Sequence, residues 1–262
     1  MNSDEFIAGL IKDRGLIQEA FGLDEQSTVR RLVSRLKSLP KRETKIISLV
    51  GGAGSGKSTL AGEIGLSLKS AAIIGTDDFV LGPRKFRRKF MEVEGKDPLL
   101  KYDFALLREK IEQIKRAREG EAICLPLYES RSGTGLDIEY DPQTGRILNI
   151  SRDVCEREIG KVDFLIVEGD FQILSAPDYQ IFLHVSDEVR LHNRISRDLR
   201  ERGPTTPEEI TENFYLRQRF QHVPCTRTYA RSADLLLLVS ARPSNSGYLY
   251  NYSFWVSRQQ AA

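Results

Sequence analysis

The sequence predicts an α/β fold, a mostly parallel sheet with helices on both faces. Three observations point to it. An apolar, β-branched run, Ile46-Ile47-Ser48-Leu49-Val50, leads without a break into a glycine-rich turn and then into a helical pattern. From Thr44 onward, strand-like and helix-like stretches alternate, which favours parallel strands joined by right-handed crossovers. At 262 residues, 40 % of them hydrophobic, the chain can bury such a sheet on both sides.

The turn itself, Gly51-Gly52-Ala53-Gly54-Ser55-Gly56-Lys57-Ser58-Thr59, matches G-x-x-x-x-G-K-S. Small residues let successive backbone N–H groups curl around a phosphate that sits on a helix N-terminus. Lys57 can reach the β- and γ-phosphates of a nucleoside triphosphate, and the Ser58 hydroxyl can hold Mg²⁺. The expected ligands are therefore a nucleoside triphosphate and Mg²⁺, on the fold class of the P-loop NTPases; the loop alone leaves kinase, ATPase and GTPase open.

The elements follow in order. Phe6, Ile7, Leu10 and Ile11, then Val29, Leu32, Val33 and Leu36, recur at helical spacing, so residues 1–40 read as an N-terminal helical extension, with Ser27 or Thr28 as cap. Residues 41–262 read as the main domain. Strands are expected at 45–50, 71–76, 121–125, 162–167, 180–185 and 234–239, and helices at 57–69, 103–118, 187–201 and 207–221. Insertions at about 80–102 and 126–155 leave from strand ends that face the ligand crevice, and the second holds a β-hairpin around Asp141-Pro142-Gln143-Thr144. The late alternation Tyr248 to Val256 reads as a further strand, an edge strand or packed tail, or else a dimer contact or a wall beside the adenine.

Composition narrows the partners. A formal net charge of +2 argues against nucleic acid or an anionic membrane. No apolar run approaches bilayer-spanning length, and the N-terminus lacks the pattern of a signal peptide. Cys124, Cys155 and Cys225 lie far apart with no metal-ligand spacing, so neither disulfide nor zinc is expected, and a reducing, cytoplasmic setting fits. Self-association stays open.

The strand ends carry the chemistry. The second strand runs into Asp77-Asp78-Phe79, where one carboxylate can take the proton of an acceptor hydroxyl; which of the two acids does so is open. The strand Val162 to Val167 ends in Glu168-Gly169-Asp170, and Glu168 suits the metal side. Arg190, Arg194, Arg197 and Arg200 or Arg202 share a helix face and can close over a triphosphate, although Asp198 and Glu201 offer ordinary salt bridges instead.

These motifs, with Leu125-Pro126-Leu127-Tyr128 and the late Ala233-Asp234, resemble the uridine kinase and phosphoribulokinase family over about residues 44–240. The resemblance implies an ATP-dependent phosphotransferase acting on a hydroxyl of a small molecule. It implies Lys57 and Ser58 at ATP and Mg²⁺, Asp77 as base, Glu168 beside the metal, and Arg194, Arg197 and Arg202 in a mobile lid of about residues 194–207. It also implies that Asp97, Tyr102, Asp103 and Tyr128 help form the acceptor pocket.

The departures concern the acceptor. Val80 stands where uridine kinases place a tyrosine, and the histidines expected among residues 129–135 and directly before Pro98, in what is here Lys96-Asp97-Pro98, are missing. In their place runs Arg84-Lys85-Phe86-Arg87-Arg88-Lys89, a solvated basic loop or a seat for an anionic acceptor such as a sugar phosphate or hydroxy acid. Nucleoside acceptors remain open. The alternative class, a P-loop ATPase or regulatory switch without a small-molecule acceptor, lacks the guanine-reading Asn-Lys-x-Asp and an Asp-x-x-Gly strand end. RNA binding through Arg84 to Lys89 is the thinnest reading.

Overall fold

Strand pairing around the apolar run 45–51 organises the chain. The computed structural model describes residues 3–40, 43–87, 98–170, 176–201, 205–215, 228–244 and 247–257. In chain order the elements are α1 (Ser3–Asp13), β1 (Ile17–Leu23), α2 (Glu25–Ser38), β2 (Lys45–Gly51), α3 (Lys57–Ser67) and β3 (Ala71–Gly75), which runs into a 3-10 turn (Thr76–Phe79). A second 3-10 turn (Pro98–Lys101) precedes α4 (Phe104–Arg116), β4 (Ile123–Leu125), β5 (Ile138–Tyr140), β6 (Ile147–Ile150), β7 (Arg157–Ile159), β8 (Phe164–Gly169) and β9 (Tyr179–Val185). The last elements are α5 (Asp187–Glu201), α6 (Pro207–Asn213), β10 (Leu235–Ser244) and β11 (Gly247–Val256).

The main sheet has seven strands in the order β1-β11-β10-β9-β2-β8-β3. β10, β9, β2, β8 and β3 are parallel, while β11 and β1 add on antiparallel. β2 and β9 are buried along their whole length, as expected of strands covered on both faces. Successive side chains point to opposite faces: Ile47 and Leu49 pack with α2 and α3, whereas Ile46 joins Leu107, Ile111 and Ile114 of α4 and Val50 joins Phe6, Ile7 and Leu10 of α1. The chain leaves β2 toward β3 on one side and later returns by β8 to β9 on the other. The carboxyl end of β2 is thus a topological switch point, where such sheets open a ligand crevice.

Four expectations change. The extension 1–40 is not purely helical: Ile17–Leu23 forms a strand paired antiparallel with β11 at the sheet margin. Its helices lie on opposite faces of the sheet, so this segment contributes to the same cores as the rest. The cap of α2 is Asp24, which accepts from the Ser27 amide (2.7 Å), and Thr28 is buried within the helix. The strand near 121–125 does not enter the main sheet; β4 pairs antiparallel with β7 in a separate ribbon. That ribbon places Cys124 opposite Glu158 and brings Cys124 to Cys155, which form a disulfide (Cα–Cα 4.7 Å), against the expectation of none. Thirty-one residues of separation hide a pairing that only the ribbon creates.

Other expectations hold. The hairpin around 141–144 forms from β5 and β6, with the Asp141 amide donating to the Arg146 carbonyl. α5 has the expected span, and α6 begins at the Thr206 capping box but ends at Asn213; residues 216–221 lie outside the described residues. The late strand is present as β11, but it is interior, flanked by β10 and β1, and not the edge strand expected. No helix among the described residues is long and apolar enough to cross a membrane.

Leu36 of α2 is fully buried. Leu36→Ala therefore destabilises the whole protein by about 2–5 kcal/mol, read as a shift of one cooperative urea transition. A separate early transition that leaves the main one in place would show instead that residues 3–40 fold as an independent unit.

Candidate functional site

The glycine-rich turn occupies the carboxyl end of β2 and feeds directly into α3. Gly54 has φ +82°, and a Cβ there would stand 2.4 Å from the Arg190 carbonyl oxygen, so only glycine fits. Gly56, at φ +87°, starts α3, whose first-turn amides have no partner within the helix. The carbonyls of the turn are held by side chains. Lys57 Nζ donates to the Gly52 oxygen (3.3 Å), Arg190 Nε to the Ala53 oxygen (3.1 Å) and Asn193 Nδ2 to the Gly54 oxygen (3.1 Å). Gly51 ends β2, Ser55 is buried, and Thr59 is exposed on the first turn of α3.

Two acids from the end of β8 meet this turn. Lys57, buried to 8 % exposure, forms an ion pair with Asp170 (2.9 Å). Burial alone would raise the Asp170 pKa, but the Lys57 ammonium and its hydrogen bond outweigh it and hold the carboxyl below the ordinary value of 3.8. Ser58 Oγ donates to Glu168 Oε1 (2.8 Å). Burial pushes the Glu168 carboxyl up, and Lys57 only partly opposes that. A hydroxyl and a carboxylate brought together at the head of a helix form a hard-oxygen donor set that suits Mg²⁺.

Across the crevice the two acids of the turn after β3 separate in role. Asp78 is buried and accepts three bonds, from the Gly75 amide (3.1 Å), the Tyr128 amide (3.0 Å) and Arg157 Nη2 (3.1 Å). Its carboxyl is pushed up by burial, with Arg157 and the two amides opposing. Asp77 is exposed and accepts from the Tyr102 hydroxyl (3.3 Å). A Cβ on Gly135 would come within 2.6 Å of the Asp77 carbonyl oxygen, so the insertion's backbone presses directly on this turn.

Cations ring the same space. Lys101 lies 5.1 Å from the centre of the Tyr102 ring; burial pulls its pKa down, and Asp77 and Asp170 pull it back up. Arg87 donates to the carbonyls of Gly82 and Gly133, and Arg84 to the Ser130 carbonyl and the Tyr128 hydroxyl (3.4 Å). On α5, Arg194 and Arg197 both pair with buried Asp198 (3.3 and 2.9 Å), the salt-bridge arrangement that the sequence left open. Asp103, expected at the acceptor, caps α4 through the Leu106 amide (3.0 Å) and pairs with Arg152 (2.7 Å). Asp97 and Arg202 lie outside the described residues, as do Arg88 and Lys89.

Sequence reasoning missed Asp170 as the Lys57 partner, Lys101, Arg157 and Asn193. Asp170 had a signal, since a buried lysine demands a counter-charge and the strand end supplied two acids. Arg157 had none, being 79 residues from Asp78.

Comparison with known proteins places the chain in a family. The sequence pattern of the Phosphoribulokinase / Uridine kinase family matches residues 46–242. A uridine kinase of Clostridium novyi (strain NT) is 30 % identical over 174 residues, covering 64 % of this chain and 74 % of its own length. Among solved structures, a protein of Silicibacter sp. TM1040 described as a candidate fructose transport system kinase superposes with a TM-score of 0.54 at 18 % identity, over 82 % of this chain and 99 % of its own. The D-glycerate 3-kinase of Cryptococcus neoformans does so with 0.50 at 17 %, over 82 % and 94 %. At those identities the two structures support the fold alone.

The opposed influences on Asp170 have a measurable sign. A carboxyl held below its ordinary value stabilises the fold above that value, and the contribution is lost as pH falls through the Asp170 pKa. In Lys57→Met, burial is opposed only by the more distant Lys101 and Arg190, so the Asp170 carboxyl titrates at higher pH than in the parent and the stability it contributes above that range shrinks. Carbon-13 NMR of the aspartate carboxyls follows the shift; an unmoved Asp170 resonance would mean that Lys57 does not set its charge.

Proposed function

Because the chain belongs to the phosphoribulokinase and uridine kinase family, whose members are phosphotransferases with hydroxyl acceptors, we propose that it transfers the terminal phosphoryl group of ATP to a hydroxyl of a small anionic metabolite, a sugar phosphate or hydroxy acid. The observation that carries the mechanism is the contrast between the paired acids. Asp78 is buried and already holds three donors, which leaves little of its acceptor capacity for a substrate hydroxyl, whereas Asp77 is exposed and tied only to a tyrosine hydroxyl among the bonds described. Asp77 is therefore the base.

The amides of the 51–59 loop receive the phosphates, Lys57 neutralises them, and Ser58 with Glu168 would hold Mg²⁺, which would supply further charge neutralisation to the triphosphate. The reaction forms a bond from the acceptor oxygen to the terminal phosphorus and breaks the bond to the bridging oxygen. The hydroxyl proton passes to Asp77. Lys101, balanced between Asp77 on the acceptor side and Asp170 on the nucleotide side, neutralises charge that develops between them. Arg194 and Arg197 reach the triphosphate by exchanging Asp198 for phosphate, and such exchange is the natural motion of a lid.

Lys101 and Arg87, whose charges act on Asp77 and which burial disfavours in the charged form, favour an anionic acceptor, since buried positive groups cost desolvation unless an anion joins them, and Arg84 adds a further cation on the insertion. The stacked pair Tyr102 and Phe104 (5.1 Å) favours the second reading, a pyrimidine nucleoside. Setting is proposed as cytoplasmic, in keeping with a metabolic kinase.

A panel of uridine, cytidine, sugar phosphates and hydroxy acids with γ-labelled ATP decides the acceptor: label on the anionic compounds is expected, and label on uridine alone would reverse the choice. Asp77→Asn keeps ATP affinity while turnover falls about 10²-fold or more, the range for a lost general base. Turnover left intact would remove Asp77 from that role, and full-rate hydrolysis without any acceptor would point to an ATPase.

A further inference from the structure

The carboxy-terminal hairpin has no part in the chemistry so far, yet it reaches the phosphate loop. β10 pairs with β9 only as far as Val239 opposite Val185, then continues to Ser244 with β11 as its partner. This overhang carries the hairpin past the carboxyl ends of the parallel strands, onto the side where the crevice opens. There the Tyr250 hydroxyl donates to Asn193 Oδ1 (2.6 Å), and Asn193 Nδ2 donates to the Gly54 carbonyl (3.1 Å). Beside this pair, Tyr248 meets His192 edge-on at 4.7 Å.

The chemistry permits one orientation of the asparagine. The Gly54 oxygen can only accept, so Nδ2 must face it and Oδ1 must face the tyrosine. A trans peptide unit carries its N–H opposite its C=O. Drawing the Gly54 oxygen toward α5 therefore turns the Ser55 N–H the other way, into the loop, where it donates to the Gly52 oxygen (3.0 Å). Arg190 does the same for the preceding unit through the Ala53 oxygen, and it is 1 % exposed. We propose that Tyr250 and Asn193 are positioning residues that preset the phosphate loop for nucleotide, so that the carboxy-terminal hairpin is part of the donor site.

This inference rests on the loop binding ATP. Preorganisation acts on affinity: a loop whose turn is already closed by the Ser55-to-Gly52 bond and held through its Ala53 and Gly54 carbonyls loses less freedom when phosphate arrives. Loss of either side chain weakens nucleotide binding and raises the KM for ATP, with kcat and the acceptor KM nearly unchanged, because neither residue touches the reacting atoms.

Titration with a fluorescent ATP analogue and Mg²⁺ tests the relay without needing the acceptor. Tyr250→Phe, which removes one oxygen and keeps the ring, is expected to weaken binding about three- to tenfold, the range for one hydrogen bond. Asn193→Ala should weaken it at least as much, and the double variant no further, because the two act through one link. Tyr248→Phe should bind as the parent does. Unchanged affinity in Tyr250→Phe, or additive losses in the double variant, overturns the relay while leaving the kinase reading intact. A parent protein that binds no nucleotide overturns both. Circular dichroism confirms that each variant is folded before it is titrated.

Discussion

A loop that receives phosphate must present its amides to the anion and keep its carbonyl oxygens, which the anion repels, turned away. In this chain three successive carbonyls, those of Gly52, Ala53 and Gly54, are each engaged by a side-chain donor. Lys57 comes from α3 and the other two donors from α5, so the loop is held from both ends of the crevice. Because α5 begins directly after β9, and β9 neighbours β2 in the sheet, the donors reach the loop without any long connection. The geometry of the site is thus a consequence of strand order. Had β9 stood anywhere but beside β2, Arg190 and Asn193 could not reach.

Charge in the crevice follows the same economy. Burying Lys57 without a partner would be costly; Asp170, whose side chain is 39 % exposed, supplies the counter-charge. Burial acts on Asp78, Glu168 and Lys101 in the same sense, against the charged form, yet each is compensated differently. Asp78 has an arginine and two amides, Glu168 has a lysine and a serine hydroxyl, and Lys101 has two acids that face it. Only Asp77 sits exposed among them, at the point where the insertion and the sheet meet.

The amino-terminal segment and the ribbon 123–159 show how secondary features support that site. α1 and α2 cover opposite faces of the sheet, and β1 shields one edge of β11. His184 of β9 bonds to Asp4 of α1 (2.7 Å), which anchors the first helix next to the strand that leads into α5. The β4–β7 ribbon, closed by the Cys124–Cys155 disulfide, delivers Arg157 to Asp78 and starts the chain toward Tyr128. Both features bear on the turn that holds Asp77 or on the helix that holds the loop, although neither has a recognisable motif.

Local chemistry determined much of what could be read without coordinates. The nearly continuous apolar run Ile46 to Val50 marks a buried strand, fixed glycines followed by lysine and serine mark the phosphate loop, and acids at strand ends mark the crevice, because each depends on residues adjacent in the chain. The helical span 187–201 was legible for the same reason. The tertiary structure alone decided that Ile17–Leu23 is a strand, that Cys124 meets Cys155, that Asp78 is bracketed by Arg157 while Asp77 stays open, and that Tyr250 reaches Asn193. Those outcomes depend on pairings between residues far apart in sequence, whose free energy comes from burial and hydrogen bonds that exist only once the sheet has assembled.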